Sequence, residues 1–426
     1  MTDSLKPLRV RARLIWALND QELCEIPDGY LEADSSGVIL KARPFDKKRD
    51  QVDRVYEDQG GLQILTPGFC DLHFHWVQDR VCAMGKDNLL DWLKAYVFPE
   101  EARFESTAYA DERAEDFFLR LAGCGTVGGA VYASIHEPSL VSGFEHARGH
   151  FLFGNVVMTA NSPAVLRRQP EWFFDLIKTT YEKYGNRLIL TPRFALSCEP
   201  QTLKFLGEFS QRHNLYMQTH LSETTQEIEE TLSYYRQFEG FEDVSSYLEV
   251  YDRCGLVHER ALFGHCIHMT DKELERMAES RAVAVHCPTS NAPLSQRGLG
   301  SGLMDYRSMD EYGVRWALAT DIGAGPYPSM LDVMQSFLAQ NRVTGRDPGV
   351  ARALNRSSYE GFSVLGTKIG RLEKGFLASY AVLPSVTNLG PGFALEEILS
   401  RDREELVNMV QTTAHASNII WDRNLV

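Results

Sequence analysis

Four places in the 426-residue chain bring together side chains that bind divalent cations or move protons: Asp71-Leu-His73-Phe-His75, His220-Leu-Ser-Glu223, Gly264-His265-Cys266 and Thr320-Asp321. Side chains alternate faces along a strand, so His73 and His75 point the same way and can share one metal ion through their imidazole nitrogens. Two histidines so spaced can equally be packed or exposed, and the pair gains meaning from what the other three places add. A metal held by histidine and carboxylate with an open position activates water near neutral pH, and a neighbouring His, Glu or Asp can move the protons. That chemistry is metal-assisted hydrolysis. The cysteines at 24, 70, 82, 124, 198, 254, 266 and 287 form no CxxC pair and no dense cluster. They read as buried thiols. The lack of a Pro-Cys-x-x-Cys segment argues against the small zinc deaminases that use cysteine ligands, so any zinc falls to histidine and carboxylate.

Residues this far apart in sequence must be carried to one place by a regular scaffold. Short β-rich runs recur at Leu62–His75, Thr126–Ala133, Phe151–Thr159, Arg187–Leu196, Leu215–Ser222, Ala261–Met269, Ala282–Pro288 and Val314–Ile322. Helical apolar spacing falls between them, at Glu171–Tyr184, Gln201–Gln211 and Asp271–Ser280, some opened by a capping Thr or Asp or by a first-turn proline. Eight strands alternating with helices predict an α/β fold of the (β/α)8 TIM-barrel type, in which every strand delivers its C-terminal end to one catalytic rim. An open doubly wound sheet would alternate similarly, but no Gly-x-Gly-x-x-Gly turn follows the first strand. The ends differ from this middle. Short strands are expected at Leu8–Ala17, Gly29–Ala33 and Gly37–Lys41, and again at Ser379–Leu383 and Ser417–Trp421. Each end alone is too small to bury a core. Residues 1–66 and 371–426 are therefore expected to meet as one small β-sandwich beside a barrel spanning 67–370.

Lys plus Arg number 44 and Asp plus Glu 58, a net charge of −14 that repels nucleic acid and anionic lipid. Met1 to Val10 carries basic residues without an apolar signal-like core, and no stretch reaches the roughly 18 apolar residues that span a bilayer. The expectation is a soluble, cytoplasmic protein whose partner is a small molecule, neither nucleic acid nor membrane.

The motifs, taken in order, resemble the amidohydrolase superfamily and in particular its guanine deaminase family. The signature Pro-Gly-x-x-Asp-x-His-x-His stands at Pro67–His75, and the run from Leu89 to Phe104 is similar to the family's Leu-Leu-x-Trp-Leu-x-x-x-x-Phe-Pro segment. Thr191-Pro-Arg193-Phe194, Thr219-His220-Leu-Ser-Glu223, Phe263-Gly-His265-Cys266, His286-Cys-Pro-Thr-Ser-Asn291 and Thr320-Asp321-Ile-Gly-Ala-Gly325 continue the match, which covers roughly residues 60 to 345. The resemblance implies that His73, His75, His220 and Asp321 hold one zinc per subunit. It implies that His265 orients the attacking water, that Asp321 accepts its proton and that Glu223 carries a proton to the ring and the leaving amine. Gln78, Arg193 and Phe194 are implied as purine contacts: an amide and a guanidinium can match the polar edges of the base while Phe194 covers its face. Arg193 in a structural ion pair and Phe194 in the core are the alternatives. A homodimer is implied on the same basis. The Trp92, Tyr96 and Phe98 cluster reads as packing or a dimer surface rather than a base-binding platform; His268, three residues past His265, would point away along a strand, His286 sits on a run whose end supplies no expected ligand, and His136, His146, His150, His213, His258 and His415 read as structural or surface residues. Residues 157–161 and 295–302 depart from the family's usual pattern near the expected rim. Deamination of another aminated heterocycle, a pterin or 8-oxoguanine, is the alternative on the same machinery. A catalytically silent scaffold that works by protein association is the alternative of another class.

Overall fold

The run expected as one strand over 62–75 divides at Gly68. In this computed structural model, which describes residues 7–82, 84, 89–386 and 393–425, Ile64–Pro67 joins a sheet built from the chain ends and Phe69–Phe74 opens the barrel. The chain passes so close to the next strand here that a Cβ on Gly68 would lie 2.5 Å from a Val127 methyl. The barrel strands are β1 (Phe69–Phe74), β2 (Thr126–Ala133), β3 (His150–Val157), β4 (Ile189–Pro192), β5 (Tyr216–Leu221), β6 (Ala261–His265), β7 (Val283–His286) and β8 (Arg315–Leu318). They pair in that order, all parallel. Both faces of such a sheet are covered, so its strands are apolar almost throughout, as in Val283-Ala-Val.

Helices Pro170–Tyr184, Pro200–His213 and Asp271–Ser280 lie where the sequence predicts them. Pro170 and Pro200 occupy first-turn positions where their missing N–H costs nothing, and Thr270 forms a capping box with Glu273. At the rim, the segment after β8 returns to β1: the Asp321 N–H donates to the His73 carbonyl at 2.8 Å and the His75 N–H to the Ile322 carbonyl at 3.0 Å. The buried Asp71 carboxyl accepts from the Thr320 N–H at 3.1 Å and from the Thr320 hydroxyl. These bonds bring the barrel nearly to closure directly below the residues of interest.

The terminal sheet runs in the order Asn418–Asp422, Thr412–His415, Tyr380–Leu383, Ile64–Pro67, Leu8–Ala17, Leu23–Ala33 and Ile39–Pro44, with Arg54–Val55 added beside Leu8–Ala17. Its inner face has its own core, including Leu14, Trp16, Leu31, Ile39, Leu65, Tyr380 and Val382. Both ends of the chain are needed to build it. The second strand begins at Leu23, six residues before the predicted start, because its pairing with Leu8–Ala17 continues to Ala17↔Leu23. Thr412–His415 is a strand the sequence reading did not anticipate. The expected terminal segments also contain residues 1–6, 387–392 and 426, which lie outside the described residues. Seven cysteines are buried and Cys24 is half-buried, all as free thiols. Among the described residues no helix is long and apolar enough to cross a membrane.

Candidate active site

The ends of β1 and β5 and the segment after β8 converge as the motifs predict. His75 Nε2 lies 3.1 Å from His220 Nε2, and Asp321 Oδ1 lies 3.5 Å from His73 Nε2 and 3.8 Å from His75 Nε2. One ligand atom from each of the four residues falls within 4.8 Å of all the others. His73 Nε2 is buried and has no hydrogen-bond partner among the described residues, an arrangement costly to a fold unless something else meets that nitrogen. Burial lowers the pKa of His73 and drives those of His75 and His220 well below the ordinary imidazole value, with like charges around the latter two adding to the effect. The rings are thus neutral, the form that binds metal. The Arg193 carbonyl accepts from His220 Nδ1–H, which turns Nε2 toward the centre. Three neutral imidazoles and a carboxylate around one point fit a divalent metal with room for a further ligand. His265, Cys287 and Asp321 also lie within 4.8 Å of one another, but burial pushes the Cys287 thiol well above its usual pKa and makes it a poor ligand.

The backbone is bent to serve this cluster. His265 (φ 71°), Cys266 (φ 50°), Ser222 (φ 51°) and Asp321 (φ 50°) all adopt left-handed conformations. For such residues that costs about 1–3 kcal/mol each, and such strain gathers at functional sites. Gly264 stands against His73 so closely that a Cβ there would lie 2.5 Å from the ring's Cε1.

Beside these four residues sit the groups that could move protons. Glu223 Oε2 is 3.6 Å from His265 Nε2, while Asn291 bridges the pair, its amide donating to Glu223 Oε1 at 3.1 Å and its Oδ1 facing His265 Nδ1 at 3.2 Å. Ser301 donates to Glu223 Oε1 at 3.0 Å. Burial raises the Glu223 pKa against the pull of His265. Burial disfavours His265's charged form, yet the negative charges of Glu223 and Asp321 leave its pKa raised. One turn on, Glu227 accepts from the Glu223 N–H and from the Tyr247 hydroxyl, both at 3.0 Å; burial and the Glu223 charge push its pKa up to about 7.

A cavity opens over the cluster, lined by His75, His220, Glu223, His265 and Asp321 and by all three expected purine contacts, Gln78, Arg193 and Phe194. Arg193 both lines the cavity and stands in an ion pair: Nη1 donates to both oxygens of Glu101, at 2.8 and 2.9 Å. Trp92, read from sequence as packing or dimer surface, does line the cavity wall with Leu93, Leu299 and Ala324. Phe98 instead underlies the Arg193 guanidinium at 5.3 Å, and Tyr96 is exposed. The sequence reading gave no role to Glu101, Glu227, Asn291 or Asp71. The i, i+4 spacing of Glu223 and Glu227 at a helix start is a sequence signal for one of them; Glu101, Asn291 and Asp71 stand within the motifs at 89–104, 286–291 and 67–75. The unusual 295–302 segment reaches the site through Leu299 and Ser301. His286 stays outside it, packed against Phe337.

Residues 64–403 match the amidohydrolase family. The guanine deaminase of Escherichia coli (strain K12) is 30% identical over 347 residues, 79% of this chain and 76% of that protein. The probable guanine deaminase of Deinococcus radiodurans is 33% identical over 80% of this chain and 78% of its own length. The crystal structure of guanine deaminase from C. acetobutylicum with guanine bound in the active site superposes with a TM-score of 0.85 at 27% identity, covering 98% of this chain and 100% of that one. A rim of histidines and acids on a parallel barrel, with these matches over most of the chain, means that the protein belongs to the amidohydrolase family, alongside its guanine deaminases.

Proposed function

We infer that this protein is a zinc-dependent hydrolase that converts guanine and water to xanthine and ammonia. The observation that carries the reading is the meeting of His73, His75, His220 and Asp321 within 4.8 Å, under a cavity that also contains Glu223 and His265. His73, His75, His220 and Asp321 would hold the ion. Zinc supplies a Lewis acid there that makes water a nucleophile at neutral pH.

The chain's own residues do the rest. Asp321 accepts a proton from the attacking water, and His265, steadied by Asn291, orients that water toward the ring carbon bearing the amine. Glu223, whose pKa burial raises, delivers a proton to the neighbouring ring nitrogen and regains the one Asp321 took from the water; the water's second proton, lost as the new C=O forms, goes to the departing amine, which leaves as ammonia. Arg193 and Gln78 hold the polar edge of the base and Phe194 covers its face. The bound guanine in the C. acetobutylicum relative supports the choice of substrate. The full proton-relay set speaks against a silent scaffold, which has no need of it. The division of the chain at residues 66 and 370 and a cytoplasmic location go with this reading, as does a homodimer, which rests on the family resemblance.

The test is a spectrophotometric assay of guanine loss with ammonia release, run beside isoxanthopterin-type amines, 8-oxoguanine and adenine, with metal analysis of the purified protein. Guanine should be the preferred substrate, with about one zinc per chain. Glu223→Ala should lower kcat by about 10²-fold or more. Full activity in that variant would remove the proton shuttle, and a preference for another amine would move the substrate.

A further inference from the structure

We propose that Glu101 is a positioning residue that sets the donor and acceptor polarity of the substrate pocket. The inference rests on the reading of the site as a guanine deaminase. Glu101 is fully buried and comes from no barrel strand; it lies in the short helix Phe98–Ala102. Its carboxylate takes Arg193 Nη1 on both oxygens and the Gln78 amide nitrogen on Oε1 at 2.7 Å, while the Ser134 hydroxyl donates to its carbonyl at 3.0 Å. One residue thereby ties together the segments that follow β1, β2 and β4.

A carboxylate paired with a guanidinium can only accept, so the group of Gln78 that faces it must be the NH2. The Gln78 Oε1 is then the atom left for the pocket. It rests where Gly323 (φ 107°) has no side chain: a Cβ there would fall 2.3 Å from that oxygen. Arg193 gives Nη1 to Glu101 and also lines the cavity, so the guanidinium N–H groups not spent on Glu101 are the donors it can offer there. The pocket therefore offers a fixed donor and a fixed acceptor. A ring edge carrying C=O beside N–H satisfies both, while an edge with NH2 beside a bare ring nitrogen meets donor with donor and acceptor with acceptor.

Replacing Glu101 with glutamine keeps the shape and removes the constraint, because an amide can face Gln78 either way round. The probe is 2,6-diaminopurine, which keeps guanine's 2-amino leaving group but exchanges the carbonyl and N–H edge for an amino group and a bare nitrogen. The unaltered enzyme should favour guanine over it in kcat/KM by about 100-fold or more. E101Q should raise KM for guanine about ten-fold and narrow that preference by about ten-fold, with zinc content unchanged. Ser134→Ala, which loosens the same helix without touching the carboxylate, should leave the preference intact. A guanine-active enzyme whose preference is the same in E101Q, or is lost equally in Ser134→Ala, overturns the proposal. An unaltered enzyme inactive on guanine overturns the functional reading instead. If E101Q does not fold, Gln78→Met decides: it deletes the acceptor and keeps the Glu101–Arg193 pair, and an unchanged preference there overturns the proposal equally.

Discussion

Burial keeps the His286 ring uncharged: it lies against Phe337 with neither nitrogen hydrogen-bonded to any described residue, and its pKa is pushed down to about 3. An unfolded chain titrates the same ring near 6.5. Between those values the unfolded form holds a proton that the folded form lacks, so this residue lowers stability as pH falls. His286→Leu should therefore flatten the dependence of urea-unfolding free energy on pH between about 6 and 4.5, by up to about 1 kcal/mol per pH unit relative to the parent; an unaltered slope would mean that the ring is already charged in the fold. The sequence set His286 apart from the ligand histidines because its strand end offered no role, and the structure keeps it apart. The converging histidines and acids were legible because strand ends and residue types are local facts. Glu101 was not, because its importance lies in two partners, Gln78 and Arg193, that only the folded chain brings to it.

At the scale of elements, the period-two and helical patterns located the eight barrel strands and the main helices, since these are fixed by apolar spacing and local capping. The break at Gly68 escaped because Ile64–Pro67 and Phe69–Phe74 share one β-rich composition; what separates them is a steric contact with Val127 on another strand. β6 illustrates the same limit. Gly264 reads as an ordinary glycine in a strand, yet the absence of its side chain makes room for the His73 ring. Gly264→Ala should push that ring off its position and weaken metal binding by about 10-fold or more, read by competition with a chromogenic chelator. Metal affinity equal to the parent's would show that β1 can yield without disturbing its ligand.

For the whole molecule, a metal held by residues from β1, from β5 and from the segment after β8 would be a clamp across the barrel. Stripping it should lower the melting temperature by several degrees, and readdition of zinc should restore it in a concentration-dependent way. Metal at 1,000 times its dissociation constant contributes about 4 kcal/mol to the folded state. A melting temperature indifferent to chelator would mean that the ligands hold their places unaided. The pairing of the two chain ends was legible in outline from their short strands, but not their order, because register between segments at opposite ends of a sequence leaves no local trace. That arrangement has a consequence for biosynthesis. Ile64–Pro67 emerges early from the ribosome, yet its neighbour Tyr380–Leu383 is translated only after the entire barrel. The nascent protein must carry an open strand edge while the whole barrel is made, and this sheet can be completed only once Tyr380–Leu383 has followed it.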